Sequence, residues 1–191
     1  MAVVQLASAV DVAAVLGREL TSDETARVGA ILDEASVKFR REARQQFTPG
    51  TSTVRLKVNG RRVFLPQRPV NDVHVVADPD TAAPLEYSIE DGSWLVVDRS
   101  SARFVRVTYS HGGVVPDDIR LAVAALAKRV LLIPRDAEQG KTQVSSTDGP
   151  FTDAYTIATW AQGAQVLLSP EDVRLARSYR VAVPRVWVAQ P

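Results

Sequence analysis

The stretch from residue 109 to residue 134 constrains the fold more than any other. It reads Tyr-Ser-His-Gly-Gly-Val-Val-Pro-Asp-Asp and continues into an apolar run that ends at Pro134. A proline at the first helical position and acids in the first turn are typical of a helix start. A second proline marks the stop. The stretch predicts a tight turn at Gly112-Gly113 and a long central helix over residues 116–133.

The apolar residues of this helix recur with helical spacing, which predicts a buried face. They are Ile119, Ala122, Val123, Leu126, Val130 and Ile133. Only Arg120, Lys128 and Arg129 interrupt the apolar character, so we expect the helix to be covered on most sides. It is too short and too charged to span a bilayer, which needs about 20 apolar residues.

Two further helices are predicted ahead of this stretch from their capping residues. Ser8 with Asp11 and Thr21 with Glu24 have the spacing of a cap and a first-turn acid. The second helix is expected to end near Phe47.

After the central helix, residues 135–150 are polar and contain glycine, whereas residues 151–160 are mixed and include aromatic anchors; a loop is expected over residues 135–165. Ser169-Pro170 opens a short last helix.

Between the helical segments the hydrophobic period changes from helical to alternating. Val54, Leu56 and Val58 alternate with polar residues, and Asn59-Gly60 favours a hairpin turn with Val63–Leu65 as the returning strand. Further strands are expected at residues 73–76, 85–89, 94–97 and 103–109, with Asp91-Gly92 as a tight turn. About six short strands at this spacing favour a small antiparallel sandwich or barrel.

The expected fold class is therefore α+β. A helical core of about four helices carries an inserted small antiparallel β-sandwich or barrel, and the chain ends in an extended strand. The corresponding segments are 1–50 for the N-terminal helices, 51–110 for the β insertion, 111–180 for the central and last helices with the loop, and 181–191 for the tail.

Composition excludes several kinds of protein. The formal net charge is +1, with 23 basic and 22 acidic side chains among 191 residues, which argues against a dedicated nucleic-acid binder. The chain has no cysteine, so disulfides, thiolate nucleophiles and cysteine-based metal sites are excluded. The first residues lack the basic and apolar regions of a signal peptide, so an intracellular product is expected.

No catalytic, cofactor or metal site is predicted. His74 and His111 are the only histidines, and neither has further ligands at metal-binding spacing. Gly112-Gly113 lacks the Lys-Ser/Thr of a phosphate-binding loop. The carboxylate pairs are Asp78 with Asp80 and Asp117 with Asp118. A turn and a helix start account for these pairs, and no serine lies in a nucleophile-elbow pattern.

The second helix carries a basic cluster, formed by Lys38, Arg40, Arg41 and Arg44. One interpretation is a solvated face that pairs with nearby acids, namely Asp33, Glu34 and Glu42. The other is contact with an acidic neighbour or with passing DNA.

The C-terminal tail is too apolar for a free terminus. Its candidate contact residues are Val181, Val183, Arg185, Val186, Trp187 and Val188. Pro184 restricts the segment to an edge or an added strand. It pairs either within its own sheet or with a partner, and its position at the end of the chain favours the partner.

In order along the chain, these features resemble the head-to-tail connector (adaptor, or head-completion) proteins of long-tailed bacteriophages, particularly those of actinobacteriophages. The similar stretches are Val10–Leu16, Thr21–Ser36, Leu65–Val70, Val107–Gly113 with Val115–Ile119, and Leu168–Asp172 with Tyr179-Arg180. The junction from glycine turn to proline-led helix is the most specific of them.

The resemblance implies a structural virion protein without enzymatic activity or cofactor. It implies a ring of twelve subunits under the portal protein at the junction of capsid and tail. Such a ring extends the DNA channel, lets DNA pass without sequence specificity and provides the platform for a neck or tail-completion protein. Made in the host cytoplasm, the protein would have no membrane partner, and its C-terminal segment would grip the portal. The alternative is a carbohydrate- or protein-binding module on the β insertion, with Trp94, Tyr87 and Tyr109 as an aromatic platform.

Overall fold

The computed structural model describes residues 4–92, 94–98, 103–133, 143–148, 151–156 and 165–181. The described helices are α1 (Ala9–Leu16), α2 (Ser22–Ala43), α3 (Asp117–Leu131) and α4 (Pro170–Ser178). The described strands are β1 (Gly50–Lys57), β2 (Arg62–Phe64), β3 (Val70–Ala77), β4 (Tyr87–Glu90), β5 (Trp94–Val97), β6 (Phe104–His111), β7 (Gln143–Asp148) and β8 (Phe151–Thr156). The predicted α+β class, a helical core with an inserted antiparallel sandwich, is confirmed.

The chain divides into two compact units. The helical unit comprises residues 1–42 and 116–176, and the β unit comprises residues 43–115 and 177–191. The β unit is thus an insertion between the end of α2 and the start of α3. None of the described helices is long and apolar enough to cross a membrane.

The predicted caps at the starts of α1 and α2 are confirmed. Ser8 Oγ accepts a hydrogen bond from the Asp11 backbone N–H at 3.3 Å, and Asp11 accepts one from the Ser8 N–H at 2.8 Å. Thr21 and Glu24 make the same reciprocal pair. A hydrogen bond from the Arg18 guanidinium, together with the Thr21 N–H, lowers the pKa of Glu24 to about 2.

The start of α4 is capped in the same way. The Ser169 hydroxyl accepts a hydrogen bond from the Asp172 N–H at 3.2 Å, and Asp172 accepts one from the Ser169 N–H at 2.8 Å. The helix start predicted from Ser169-Pro170 is therefore confirmed.

Helix α3 has the buried character predicted for the central helix. Its buried residues are Ile119, Val123, Ala124, Leu126, Ala127, Val130 and Leu131. Pro116 occupies the N-cap position and the helix begins one residue later, at Asp117. Arg120 donates to Asp11 at 2.5 Å and Lys128 to the Val15 carbonyl at 2.9 Å. These two bonds tie α3 to both ends of α1.

The β unit is a small sandwich. One sheet has the strand order β1-β6-β3 and the other has the order β2-β5-β4, with all pairs antiparallel. Inward-facing residues of both sheets form one core, which contains Val58, Val63, Leu65, Val73, Val76, Leu95, Val97, Val105, Val107 and Tyr109. The choice between sandwich and barrel is therefore settled in favour of the sandwich.

The predicted pairing of the strands on either side of Asn59-Gly60 is wrong. The turn itself forms, with Asn59 and Arg62 exchanging backbone hydrogen bonds of 2.9 and 3.0 Å. Beyond it the strands diverge: β1 pairs with β6 along all eight of its residues, and β2 pairs with β5. A partner of eight residues satisfies more of the β1 backbone than the three residues of β2 can.

Two other expectations also fail. Helix α2 ends at Ala43 and not near Phe47, because Arg44 adopts a left-handed conformation with φ of 56°. Such a residue ends a helix. The loop predicted over 135–165 contains an antiparallel hairpin formed by β7 and β8. The β-prone residues on either side of Asp148-Gly149 were the available signal for that hairpin.

A junction at Gly112 holds the two ends of the β insertion together. The Gly112 N–H donates to the Pro69 carbonyl and the Gly113 N–H to the Phe47 carbonyl, both at 2.9 Å. Gly112 has φ of +82°, and a Cβ there would lie 2.1 Å from the Thr48 carbonyl oxygen. Only glycine fits this turn.

Gly112→Ala should therefore destabilise the protein by about 3 kcal/mol or more, since both the backbone conformation and the space oppose a side chain. Gly29→Ala is the matched control, because Gly29 lies inside α2 with nothing within 4 Å of an added Cβ. It should be neutral or stabilising by up to about 1 kcal/mol. Urea unfolding of both variants measures the difference, and equal effects would contradict the role of the junction.

Candidate functional site

Two glutamines fasten the start of the β unit to the segment between β2 and β3. The buried Gln45 side chain donates to the Pro66 carbonyl at 2.7 Å and accepts from the Arg68 N–H at 3.0 Å. In return, Gln67 accepts from the Gln46 N–H at 2.8 Å and donates to the Arg44 carbonyl at 3.3 Å. We call this reciprocal arrangement the glutamine clasp.

A cavity of about 470 Å³ lies beside the clasp. It is lined by Arg44, Gln45, Leu56, Lys57, Asn59, Phe64, Pro66, Arg180 and Val181. The residues come from the segment just after α2, from the end of β1 and the turn that follows it, from β2 and the residues after it, and from the last described residues of the chain. We call it the basic cavity.

The basic cavity combines positive charge with apolar surface. Arg44, Lys57 and Arg180 contribute the charge, and none of the described lining residues is acidic. The Arg68 guanidinium lies 5.4 Å from the centre of the Phe64 ring, close enough for a cation–π contact. Among the described residues, the lining pairs guanidinium and ammonium groups with apolar side chains, which suits a ligand with both an anionic and an apolar group.

The last described residues of the chain, Arg180 and Val181, line this cavity. Val181 is half-buried in the lining, and Tyr179 packs edge-on against Phe47 with ring centres 5.5 Å apart. The other candidate contact residues of the tail, Val183, Arg185, Val186, Trp187 and Val188, lie outside the described residues. Their proposed role stays a prediction.

The basic cluster of α2 does not act as one surface. Lys38 pairs with Glu34 at 2.7 Å and also donates to the Val166 carbonyl. Arg40 is half-buried, and desolvation lowers its pKa. Arg41 and Arg44 are exposed, and only Arg44 lines the basic cavity.

His111 is buried at the Gly112 junction, with 3% of its surface exposed. Its Nε2 lies 2.8 Å from the Ser52 hydroxyl, and its Nδ1 has no hydrogen-bond partner among the described residues. Desolvation lowers the pKa of His111, so the folded state favours the neutral ring.

The remaining polar candidates have local partners. His74 lies 3.3 Å from Asp72. Asp78 accepts hydrogen bonds from two backbone N–H groups of its own turn, which lower its pKa. Asp117 pairs with Arg120 at 2.8 Å. Within the described ranges, no group of three or more potential ligands is arranged to hold a metal ion.

The three aromatic residues proposed as a platform do not share a surface. Tyr109 is fully buried in the sandwich core. Tyr87 is half-buried and donates to the Val73 carbonyl at 2.8 Å. Trp94 packs edge-on against Phe64. Their geometry gives no support to a carbohydrate-binding module.

Sequence reasoning missed most of the cavity residues. Lys57 looked like an ordinary polar position of an alternating strand, and Arg180 like the end of a short helix. Gln45 carried no local signal, because its partners lie 21 and 23 residues away in the sequence. Only Arg44 and Val181 belonged to the predicted sets.

No family model matches the chain, and no curated protein sequence does so either. The fold is similar to that of a solved chain described as "Neck of empty GTA particle computed with C6 symmetry", GTA denoting a phage-like gene transfer agent. The two chains are 15% identical with a TM-score of 0.53, over 93% of this chain and 92% of the other. At this identity the likeness establishes a shared fold.

A second similar chain is described as "Neck of native GTA particle computed with C12 symmetry". It is 14% identical to this chain, covers 97% of it and 100% of its own length, and has a TM-score of 0.48.

The buried His111 predicts a loss of stability in mild acid. Because its pKa is lower in the folded than in the unfolded state, the unfolded chain binds the proton more tightly. Stability contributed by the neutral ring is complete above about pH 6.5 and falls as the pH drops below it, by at most about 1.4 kcal/mol per pH unit.

Replacement of His111 by Asn should flatten the stability profile between pH 7 and pH 5, as followed by urea unfolding at each pH. His74→Asn is the matched control, since it removes the other histidine but keeps the buried one, and its profile should follow that of the wild type. A His111→Asn profile as steep as the wild-type profile would assign the acid sensitivity to other groups.

Proposed function

We propose that this chain is a head-to-tail adaptor of a tailed bacteriophage or a related particle. In this role it is a non-enzymatic virion protein that forms a ring, of twelve subunits, beneath the portal. The ring extends the DNA channel and carries the neck or tail-completion protein. The actinobacteriophage variety of the family is the part of the proposal that rests on sequence motifs alone.

The observation that carries the proposal is the fold likeness over 93% of the chain to a protein of a particle neck. The motifs that resemble adaptors also lie at the helix starts that they predicted in this chain. The glycine turn and proline lead directly into α3, and the Ser169-Pro170 motif opens α4. Sequence order and three-dimensional order therefore support the same assignment.

The C-terminal segment is proposed as the part that grips the portal. Val181 is half-buried beside the basic cavity, and the sequence continues Ala-Val-Pro-Arg-Val-Trp-Val. These residues have the β propensity and apolar character of a strand that adds to a partner's sheet. Trp187 is the largest apolar side chain available for the contact.

Contact with passing DNA is a weaker component of the proposal. Of the basic cluster, Arg41 and Arg44 are exposed, and Lys38 is already paired with Glu34. Arg44 also lines the basic cavity, which leaves Arg41 as the exposed arginine for contact with phosphate. So sparse a set of contacts suits DNA that slides past without being held.

Truncation after Arg180 should leave a folded protein that no longer joins capsids carrying the portal. The β-sandwich core lies entirely before this point, so the unfolding transition should be close to that of the wild type. Attachment is measured by sedimenting purified capsids with the added protein and by electron microscopy of the capsid vertex.

A truncation after Ala189 is the matched control, because it shortens the chain but keeps the apolar residues of the tail; it should attach like the full chain. Trp187→Ala tests the same contact with one side chain and should weaken attachment. Normal attachment by the chain that ends at Arg180 would refute the docking role of the tail.

A further inference from the structure

Charge is segregated along the sequence of the β unit. Residues 44–68 contain six basic side chains and no acidic one, whereas residues 69–92 contain six acidic side chains and no lysine or arginine. The basic residues are Arg44, Arg55, Lys57, Arg61, Arg62 and Arg68. The acidic residues are Asp72, Asp78, Asp80, Glu86, Glu90 and Asp91. The net charge of +1 conceals this division.

The strand order places the two blocks on opposite sides of the sandwich. The sheets have the orders β1-β6-β3 and β2-β5-β4, so β1 and β2 are edge strands, as are β3 and β4. Leu85 donates its N–H to the Val76 carbonyl at 2.9 Å, and Tyr87 donates to the Val73 carbonyl at 2.8 Å. These bonds put β4 beside β3. We call the β1–β2 side the basic edge and the β3–β4 side the acidic edge.

Some of these charges are neutralised inside the unit. Arg61 pairs with Asp98 at 2.6 Å and Arg62 with Glu90 at 3.1 Å. In the described part of the chain, Lys57 on the basic edge makes no ion pair with a carboxylate. Glu86 on the acidic edge makes no ion pair with a lysine or arginine among the same residues. Both side chains are exposed, so each edge keeps charge that is available to a partner.

Each edge also presents apolar surface. On the acidic edge, Ile89 is 50% exposed and Val75 is 48% exposed. On the basic edge, the basic cavity is lined in part by Leu56, Phe64 and Pro66. Partly exposed apolar side chains thus accompany the acids of one edge, and an apolar cavity flanked by cations opens on the other.

From this complementarity we infer that the acidic edge of one copy docks against the basic edge of a second copy, so that the exposed apolar surface of the acidic edge covers the basic cavity. Like edges repel, so the contact is head-to-tail and not two-fold symmetric. A head-to-tail contact generates a ring when its rotation closes. The closure of such contacts into a neck ring rests on the proposed function. The contact between the two edges rests only on the charges and strand order of the β unit.

Another copy suits these edges better than DNA does. A phosphate backbone would be attracted by the basic edge but repelled by the acidic edge, and it would leave the apolar lining of the cavity without a partner. A second copy satisfies both edges and covers Ile89. The same surfaces are repeated on every subunit, so no additional protein is needed.

Reversing one charge on each edge tests the contact in the full-length protein. Lys57→Glu alone and Glu86→Lys alone should each weaken self-association by about tenfold. The double variant Lys57→Glu/Glu86→Lys should associate like the wild type, because the two edges remain complementary. An equimolar mixture of the single variants should also associate. Analytical ultracentrifugation at low and high salt measures all four, and salt should weaken the wild-type contact.

Arg174→Glu is the matched control, since this residue is exposed and belongs to the helical unit, and hence to neither edge of the β unit. It should leave self-association unchanged. Wild-type protein that stays monomeric at millimolar concentration and low salt would overturn the inference. So would single reversals that associate normally, or a double variant that is not restored.

Cross-linking provides a measurement that does not depend on charge reversal. The chain has no cysteine, so Lys57→Cys and Glu86→Cys each introduce one defined thiol. With a short bismaleimide, the mixture of these variants should give far more cross-linked dimer than either variant alone. Equal yields would overturn the inference.

Failure of the contact and failure of the proposed function are distinguishable. Loss of head-to-tail association with normal binding to portal-bearing capsids would remove the inference and leave the adaptor role. Normal association without binding to those capsids would do the reverse.

Discussion

The close approach of Gly112 to the carbonyl of Thr48 is the contact on which the rest of the β unit depends. At this point the chain that enters the insertion and the chain that leaves it are joined backbone to backbone, with Gly113 bonded to Phe47. Because the insertion is held at its two ends, it folds as a closed loop. The entropic cost of bringing those ends together is offset by the hydrogen bonds at this single site. A glycine is required because a side chain would occupy the space of the carbonyl oxygen.

The glutamine clasp is a second tie within the β unit, and it positions part of the lining of the basic cavity. The glutamine clasp fixes residues 44–46 against residues 66–68, and Arg44 and Pro66 thereby line one cavity. The charged side chains occupy exposed or half-buried positions, and strand order determines on which side of the sandwich each of them lies. Binding chemistry in this protein is thus a consequence of topology, and no single motif encodes it.

Local signals in the sequence predicted the parts of the fold that local interactions stabilise. Ser8 with Asp11 predicted a cap because both partners lie within one helical turn, and Asp91-Gly92 predicted the β4–β5 turn because both residues adopt positive φ. Strand pairing was beyond such signals. β1 finds β6 about fifty residues later, and the alternation of apolar residues that identifies a strand contains no information about its neighbour. The hydrogen bonds of Gln45 could not be predicted for the same reason, since its partners are distant in the sequence.

The near-neutral composition acquires a different meaning once the structure is known. The near balance of 23 basic and 22 acidic side chains argued against a dedicated nucleic-acid binder, because tight binding of DNA requires clustered positive charge. The sandwich, however, separates its charges into two edges, and in the proposed head-to-tail contact each edge neutralises the other. The charge that would otherwise hold a nucleic acid is then used between subunits. If the proposed ring forms, little unpaired charge would remain on the β unit, and a phosphate backbone would slide past such a surface without being held.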